Sequence, residues 1–163
     1  MSRVLGSSRW RRLAVVLVAQ TVLLGFAVWG QLSARLTGQE IVLKVAPYDP
    51  VDPFRGAYLQ LSYPDLPALD LGVGEERRGT AYVPLRQVGD HWVGGPLVAD
   101  PPANGPYLTC DDTSWRLRCG IEDWFLSQGN AESADEQLRN GGRATIRVDR
   151  FGHAALVGLA FGP

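Results

Sequence analysis

Between residues 13 and 32 the chain reads LAVVLVAQTVLLGFAVWGQL, a run without a single charge, in which Gln20 and Gln31 are the strongly polar side chains. Twenty helical residues at ~1.5 Å each cover ~30 Å, the hydrocarbon thickness of a bilayer, so the run predicts a membrane-spanning helix. After residue 39 the pattern changes to short stretches of alternating polarity, broken by Gly, Pro and Asp. EIVLKVAP (40–47) reads as a strand that stops at a proline, and PYDPVDPF (47–54) as a stiff extended connector. RGAYLQLSY (55–63) reads as a second strand. Its alternation sets Leu59, Leu61 and Tyr63 on the inward face and Tyr58, Gln60 and Ser62 on the other. Three pairs of runs read as hairpins: AYVPLRQV with HWVGGPLVA across Gly89-Asp90, PYLTC with WRLRCG across DDTS, and RATIRVDR with HAALVGLAF across Phe151-Gly152. NAESADEQLRNGG (130–142) breaks the pattern with helix formers, early acids and Gly141 as a stop, which predicts one short surface helix.

The fold expected is therefore mainly β in the α+β sense: a transmembrane helix followed by a compact antiparallel barrel or sandwich with one short helix. Four segments follow: a basic cytoplasmic stretch at 1–12, the span at 13–32, a linker at 33–39, and an exported domain at 40–163. Arg3, Arg9, Arg11 and Arg12 precede the span, and no acid appears before Glu40. The positive-inside rule then keeps the N-terminus in the cytoplasm and sends the domain to the periplasm, a lumen or the exterior. Trp10 and Trp29 mark the two membrane–water boundaries. A cleaved signal peptide is the competing reading, but its apolar region usually runs to 15 residues or fewer. Here QLSAR offers Ala34 preceded two positions earlier by the bulky Leu32.

Beyond residue 35 there are eleven basic residues against seventeen acids, a net of about −6. That balance disfavours nucleic acid or anionic lipid as a partner of the exported part, since both reward clustered Lys and Arg. The membrane through residues 13–32 and another membrane or envelope protein are the partners expected. Cys110 and Cys119 both fall in the exported part, where an oxidising compartment makes a mutual disulfide the first expectation. Closing about ten residues stabilises by roughly 2–3 kcal/mol in the chain-entropy account. In a cytoplasmic chain two free thiols would be expected instead.

GAYLQLSY, with Gly56, Tyr58, Leu61 and Tyr63 in place, resembles the signature of the GDYxxLxY family of membrane-anchored bacterial proteins. The resemblance continues through GTAYVPL, CGIEDWFLSQG followed by EQLR, and RATIRVDRFGHAAL. Where the family motif has Asp this chain has Ala57, so a role resting on that carboxylate does not transfer. Cys119 stands where an aromatic residue is expected before GIE, which supports a local disulfide with Cys110. The resemblance implies a domain of unknown function, often beside or fused to multi-pass membrane proteins; it implies an address and a fold more than an activity.

The candidate chemistry is thin. A Ser/Lys hydrolase like a type I signal peptidase would use Ser62 and Lys44, but Lys44 precedes the serine, the Ser-Met-x-Pro setting is missing and Ser62 points away from the core. His153 in its tight turn reads as solvated, and His91 beside Trp92 as a rim residue. Neither His-x-His nor His-x-x-x-His spacing occurs, so no metal and no cofactor are expected. The pairs Glu75-Glu76, Asp111-Asp112 and Glu122-Asp123 read as solvated, and GVGEERRG lacks the lysine of a phosphate loop. In GIEDWF, Trp124 and Phe125 are the best interaction candidates, against the alternative that both rings pack the short helix onto the sheet. The function expected is non-catalytic: an accessory or assembly subunit of a membrane or envelope complex, with the membrane-anchored hydrolase as the alternative.

Overall fold

The computed structural model describes residues 4–48, 58–68, 79–114, 116–126 and 131–162. Most of the connector at 47–54, the motif residues Gly56 and Ala57, and GVGEERRG up to Arg78 lie outside the described residues, as does the Tyr58 side chain. An N-terminal apolar helix, α1 (Val4–Thr37), leads into a curled, mostly antiparallel sheet of eight strands that forms a half-barrel around one core.

From Arg9 to Thr37, α1 is long and apolar enough to cross a membrane. As far as Trp29 its apolar run is exposed; Phe26, for example, is 80% exposed. The helix also continues through the stretch 33–37 read above as linker. Tertiary contacts explain the extension: Ala34 is fully buried, and Arg147 donates from its guanidinium to the carbonyl of Arg35. The chain then turns sharply at Gly38, whose amide donates to the Ala34 carbonyl. A Cβ at Gly38 would lie 2.3 Å from that oxygen and 2.8 Å from the amide nitrogen of Val148, so a side chain there would force helix and sheet apart.

β1 (Gln39–Pro47) is the strand about which the sheet is organised. β7 (Gly142–Val148) runs antiparallel to it over seven register pairs, from Gln39/Val148 to Val45/Gly142. β2 (Tyr58–Ser62) joins its C-terminal end, and β6 (Asp123–Phe125) pairs with β2. On another side come β4 (His91–Gly94), β3 (Ala81–Val88) and β5 (Tyr107–Cys110). β8 (Ala154–Phe161) closes the hairpin with β7 and bulges near Thr145/Ile146. One pairing departs from the antiparallel expectation: β4 runs parallel to β1 at Leu43/Trp92, because the β3–β4 hairpin docks by its second strand. The hairpin expected across DDTS reduces to a single bridge between Asp111 and Arg118, since β5 takes β3 as its partner.

Alternation builds the core as the sequence suggests. Ile41, Leu43 and Val45 of β1 meet Ala144 and Ile146 of β7, with Leu59, Leu61, Val83 and Leu108 around them, all nearly inaccessible. Each fully buried aliphatic side chain stabilises by ~1.5–3 kcal/mol. The helix α2 (Ala131–Leu138) presents Ala134 and Leu138, four residues apart, to this core and leaves Glu136 and Gln137 exposed.

Candidate docking site at the helix–sheet junction

The junction is organised by Asp149, at the start of the β7–β8 turn. Its side chain is 1% exposed. One carboxylate oxygen accepts the backbone amides of Phe151 (2.8 Å) and His153 (3.0 Å), and the other lies 3.0 Å from Nδ1 of His153. Burial raises the pKa of this carboxyl, but hydrogen bonds from Ser33, His153 and the two amides outweigh it and leave the value below the ordinary range. Ser33 belongs to α1, so this buried carboxylate lies where the turn meets the helix end. The His153 ring lies against α1 at Gly30, where a Cβ would come within 3.2 Å of it. His153, read from sequence as a solvated turn residue, is thus half-buried and packed on the helix.

On another side of α1 lies a cleft of about 540 Å³ whose lining includes Gln31, Arg35, Arg118, Glu122, Trp124 and Phe125. Its floor is fixed by Glu122, whose carboxylate accepts the amides of Cys119 and Gly120. Cys110 and Cys119 are joined with 2.01 Å between sulfurs, and both are buried. The disulfide and the Glu122 hydrogen bonds together hold the loop that carries Arg118 to the cleft. Trp124 packs against the core, whereas Phe125 is 79% exposed on the outermost strand of the sheet path. The two rings offered together by the sequence therefore part: one builds the wall and the other faces solvent.

Of the motif residues, Leu61 and Tyr63 belong to that same wall. Leu61 is 2% exposed, and the Tyr63 hydroxyl donates to the Ile121 carbonyl at 2.7 Å. Burial, and then the nearby Glu122 charge, push the Tyr63 phenol well above its ordinary range. Tyr58 pairs with Phe125 through the β2–β6 ladder. Tyr63 thereby fixes the segment just before Glu122, which in turn fixes the cleft.

Among the described residues the other polar groups lie in separate small clusters. The Lys44 ammonium is half exposed and lies 3.9 Å from Asp65, which also faces His91 at 3.6 Å. His91 lies between Asp65 and Asp90, and Asp90 is also 2.6 Å from Arg143. His91 and then Arg143 lower the Asp90 carboxyl to about 2. Asp111 accepts the amide and hydroxyl of Thr113 and so shapes its own turn, while Asp112 accepts the Gly79 amide and ties that turn to the residues ahead of β3. Among the described residues no group of three or more His, Cys, Asp or Glu is placed to hold a metal ion.

Sequence reasoning missed Ser33 and Asp149. The signal was present in VDRFGH, where an Asp precedes Gly by three and His by four, a spacing that lets one carboxylate cap the turn. The serine gives no such signal, since its partner is more than a hundred residues away. No curated protein and no solved structure matches this chain. A family model described as GDYXXLXY protein matches residues 20–159, a span that takes in the second half of α1, the whole β-domain and the Asp149 junction, and the chain belongs to that family.

Proposed function

We propose that this is a single-pass membrane protein whose domain lies outside the cytoplasm and works without catalysis, as an accessory or assembly subunit that binds another membrane or envelope protein. The four N-terminal arginines keep the N-terminus inside, and the uncharged run at 13–32 crosses the bilayer. The observation that carries the docking role is Phe125, a large ring 79% exposed beside a cleft that reaches the last turns of α1. An aromatic anchor with Arg35, Arg118 and Asp123 around it has the make-up of an interface centre with a polar rim. Its position against α1 means that a partner is met close to the membrane surface. Because both proteins share that surface, weak contacts suffice at the raised local concentration.

Crosslinking in native membranes, with an epitope tag after Pro163 and mass-spectrometric identification, tests this reading. One dominant protein partner, lost with Phe125→Ser while the domain stays folded, is the expected result. Recovery of the chain alone overturns it and returns attention to a membrane-anchored hydrolase.

A further inference from the structure

The β7–β8 turn, Asp149 to His153, is held more tightly than a connecting loop requires. Besides the bonds to Asp149, the Tyr107 hydroxyl donates to the Arg150 carbonyl (3.3 Å), and the Thr109 hydroxyl donates to that of Phe151 (2.9 Å). The Thr109 amide donates to the Gly152 carbonyl (2.9 Å). Gly152 has φ 78°, and a Cβ there would lie 2.5 Å from the Thr109 hydroxyl and 2.6 Å from the Tyr107 ring. This rigid turn nonetheless presents Phe151 at 49% exposure, with the Arg150 guanidinium stacked 4.6 Å from the ring centre. An exposed ring on so rigid a turn keeps a fixed position, and what surrounds it depends on where the turn lies.

The turn's depth identifies that environment. β7 ends beside the start of β1, at Gln39/Val148, and the turn then continues back along α1, reaching Ser33 and finally Gly30. Gly30 is eight residues before the helix–strand junction at Gly38, about 12 Å along the axis at 1.5 Å per residue. It follows Trp29 directly and lies inside the uncharged run, which ends at Leu32. A residue touching Gly30 is therefore at the depth where hydrocarbon gives way to headgroups. Arg35 is exposed one turn farther out, and Arg118 is exposed on the neighbouring loop, although the domain as a whole is acidic.

We propose that the β7–β8 turn seats in the headgroup layer of the bilayer that α1 crosses, with Phe151 at the acyl boundary and Arg150 at the lipid phosphates. The domain is thereby fixed against the membrane at a second point besides its helix, and the cleft beside Phe125 is held at one height and one orientation. An aromatic ring paired with a guanidinium suits this layer because the ring is favoured at the interface and the cation is drawn to anionic lipid. This inference rests on the reading of α1 as a membrane span.

The test places a photoreactive benzoylphenylalanine at residue 151, 161 or 24 of the full chain, reconstituted in nanodiscs of phosphatidylethanolamine and phosphatidylglycerol. Phe161 is the control: it is 40% exposed and pairs with Gly142 at the far end of the same hairpin, about 20 Å away along seven strand residues. Leu24, 67% exposed in mid-helix, reports the span itself. Phospholipid adducts should form at 24 and at 151, with the yield at 151 exceeding that at 161 by about tenfold. Adducts at 24 with equal or no yield at 151 and 161 would overturn the seating of the turn and leave the anchor intact. No adduct at 24 would overturn the anchor and the inference with it. In native membranes, a protein adduct at 151 in place of lipid would likewise refute lipid seating. In the unsubstituted chain, a nitroxide-headgroup lipid should broaden the ring resonances of Phe151 and spare those of Phe161; equal broadening would refute the proposal independently of any substitution.

Discussion

Two histidine–aspartate pairs lie in this domain at nearly the same separation, His153–Asp149 at 3.0 Å and His91–Asp90 at 3.1 Å, and they differ in which member is buried. At the helix junction the carboxylate is 1% exposed and the imidazole 41%; at the β3–β4 turn the carboxylate is 64% exposed and the imidazole 15%. Water can replace whatever an exposed carboxylate loses, but nothing replaces the bonds of a buried one. A contact distance alone would rank the pairs as equals. Burial shows that Asp149 holds two elements together and that Asp90 decorates a turn.

Removing the buried acid should therefore have the largest effect. Asp149→Ala strands the amides of Phe151 and His153 without an acceptor and removes the partner of the His153 ring, and should lower stability by about 3–5 kcal/mol. Unfolding of the full chain in detergent, followed by near-ultraviolet circular dichroism, measures it. A loss below about 1 kcal/mol would mean that solvent reaches this carboxylate. Asp149→Asn keeps the shape and one acceptor, so it should fall between the two.

Acid separates the pairs without mutation. The Asp149 carboxyl titrates below its unfolded value of about 3.9. Its stabilising contribution is accordingly complete above that pH and is lost as pH falls through the folded value. The stability of the wild-type chain should decline below pH ~4, and Asp149→Asn should flatten that decline. Asp90→Asn should leave the decline nearly unchanged, because its carboxylate is open to water whether folded or not. If Asp90→Asn flattened the curve as much as Asp149→Asn, burial would not be what distinguishes the two sites.

A smaller effect is expected from Gly30→Ala, which places a methyl 3.2–3.3 Å from two atoms of the His153 ring. The ring is half exposed and can shift by a few tenths of an ångström, so the cost should stay near or below about 1 kcal/mol. The His153 ring resonances should move while those of His91 do not. Unchanged His153 resonances would place the turn away from the helix.

What the sequence made legible follows the range of the interactions. The apolar helix α1, the strand β1, the inward face of β2, two of the three hairpins and α2 rest on period or on turn chemistry, which are local and readable from neighbouring residues. The helix extension through Thr37 depends on Ala34 being buried by strands that begin later in the chain, so a local reading stopped it at residue 32. Asp149 carried a local signal in its spacing to Gly152 and His153, but its burial, which gives it weight, comes from elements distant in the chain. Trp124 and Phe125 show the limit most clearly. Adjacent residues on a strand face opposite ways, so one of them was bound to be buried, but the sequence does not say which face meets the core.

The least effect belongs to the exposed pair, and it sharpens the contrast best. Asp90 lies 2.6 Å from Arg143 and 3.1 Å from His91, and these neighbours bring its carboxyl down to about 2, yet its side chain is mostly exposed. Short geometry and a lowered pKa both suggest an important bond; exposure says that water and salt compete for each partner. Asp90→Asn should leave the unfolding midpoint unchanged within error in moderate salt. Raising the salt should not change the wild-type midpoint relative to the mutant, because screening removes what little the pair supplies. A clear midpoint loss on Asp90→Asn that persists in high salt would show that the Arg143 pair is held apart from water. It would also make the β3–β4 turn a second fixed point of the domain, alongside Asp149.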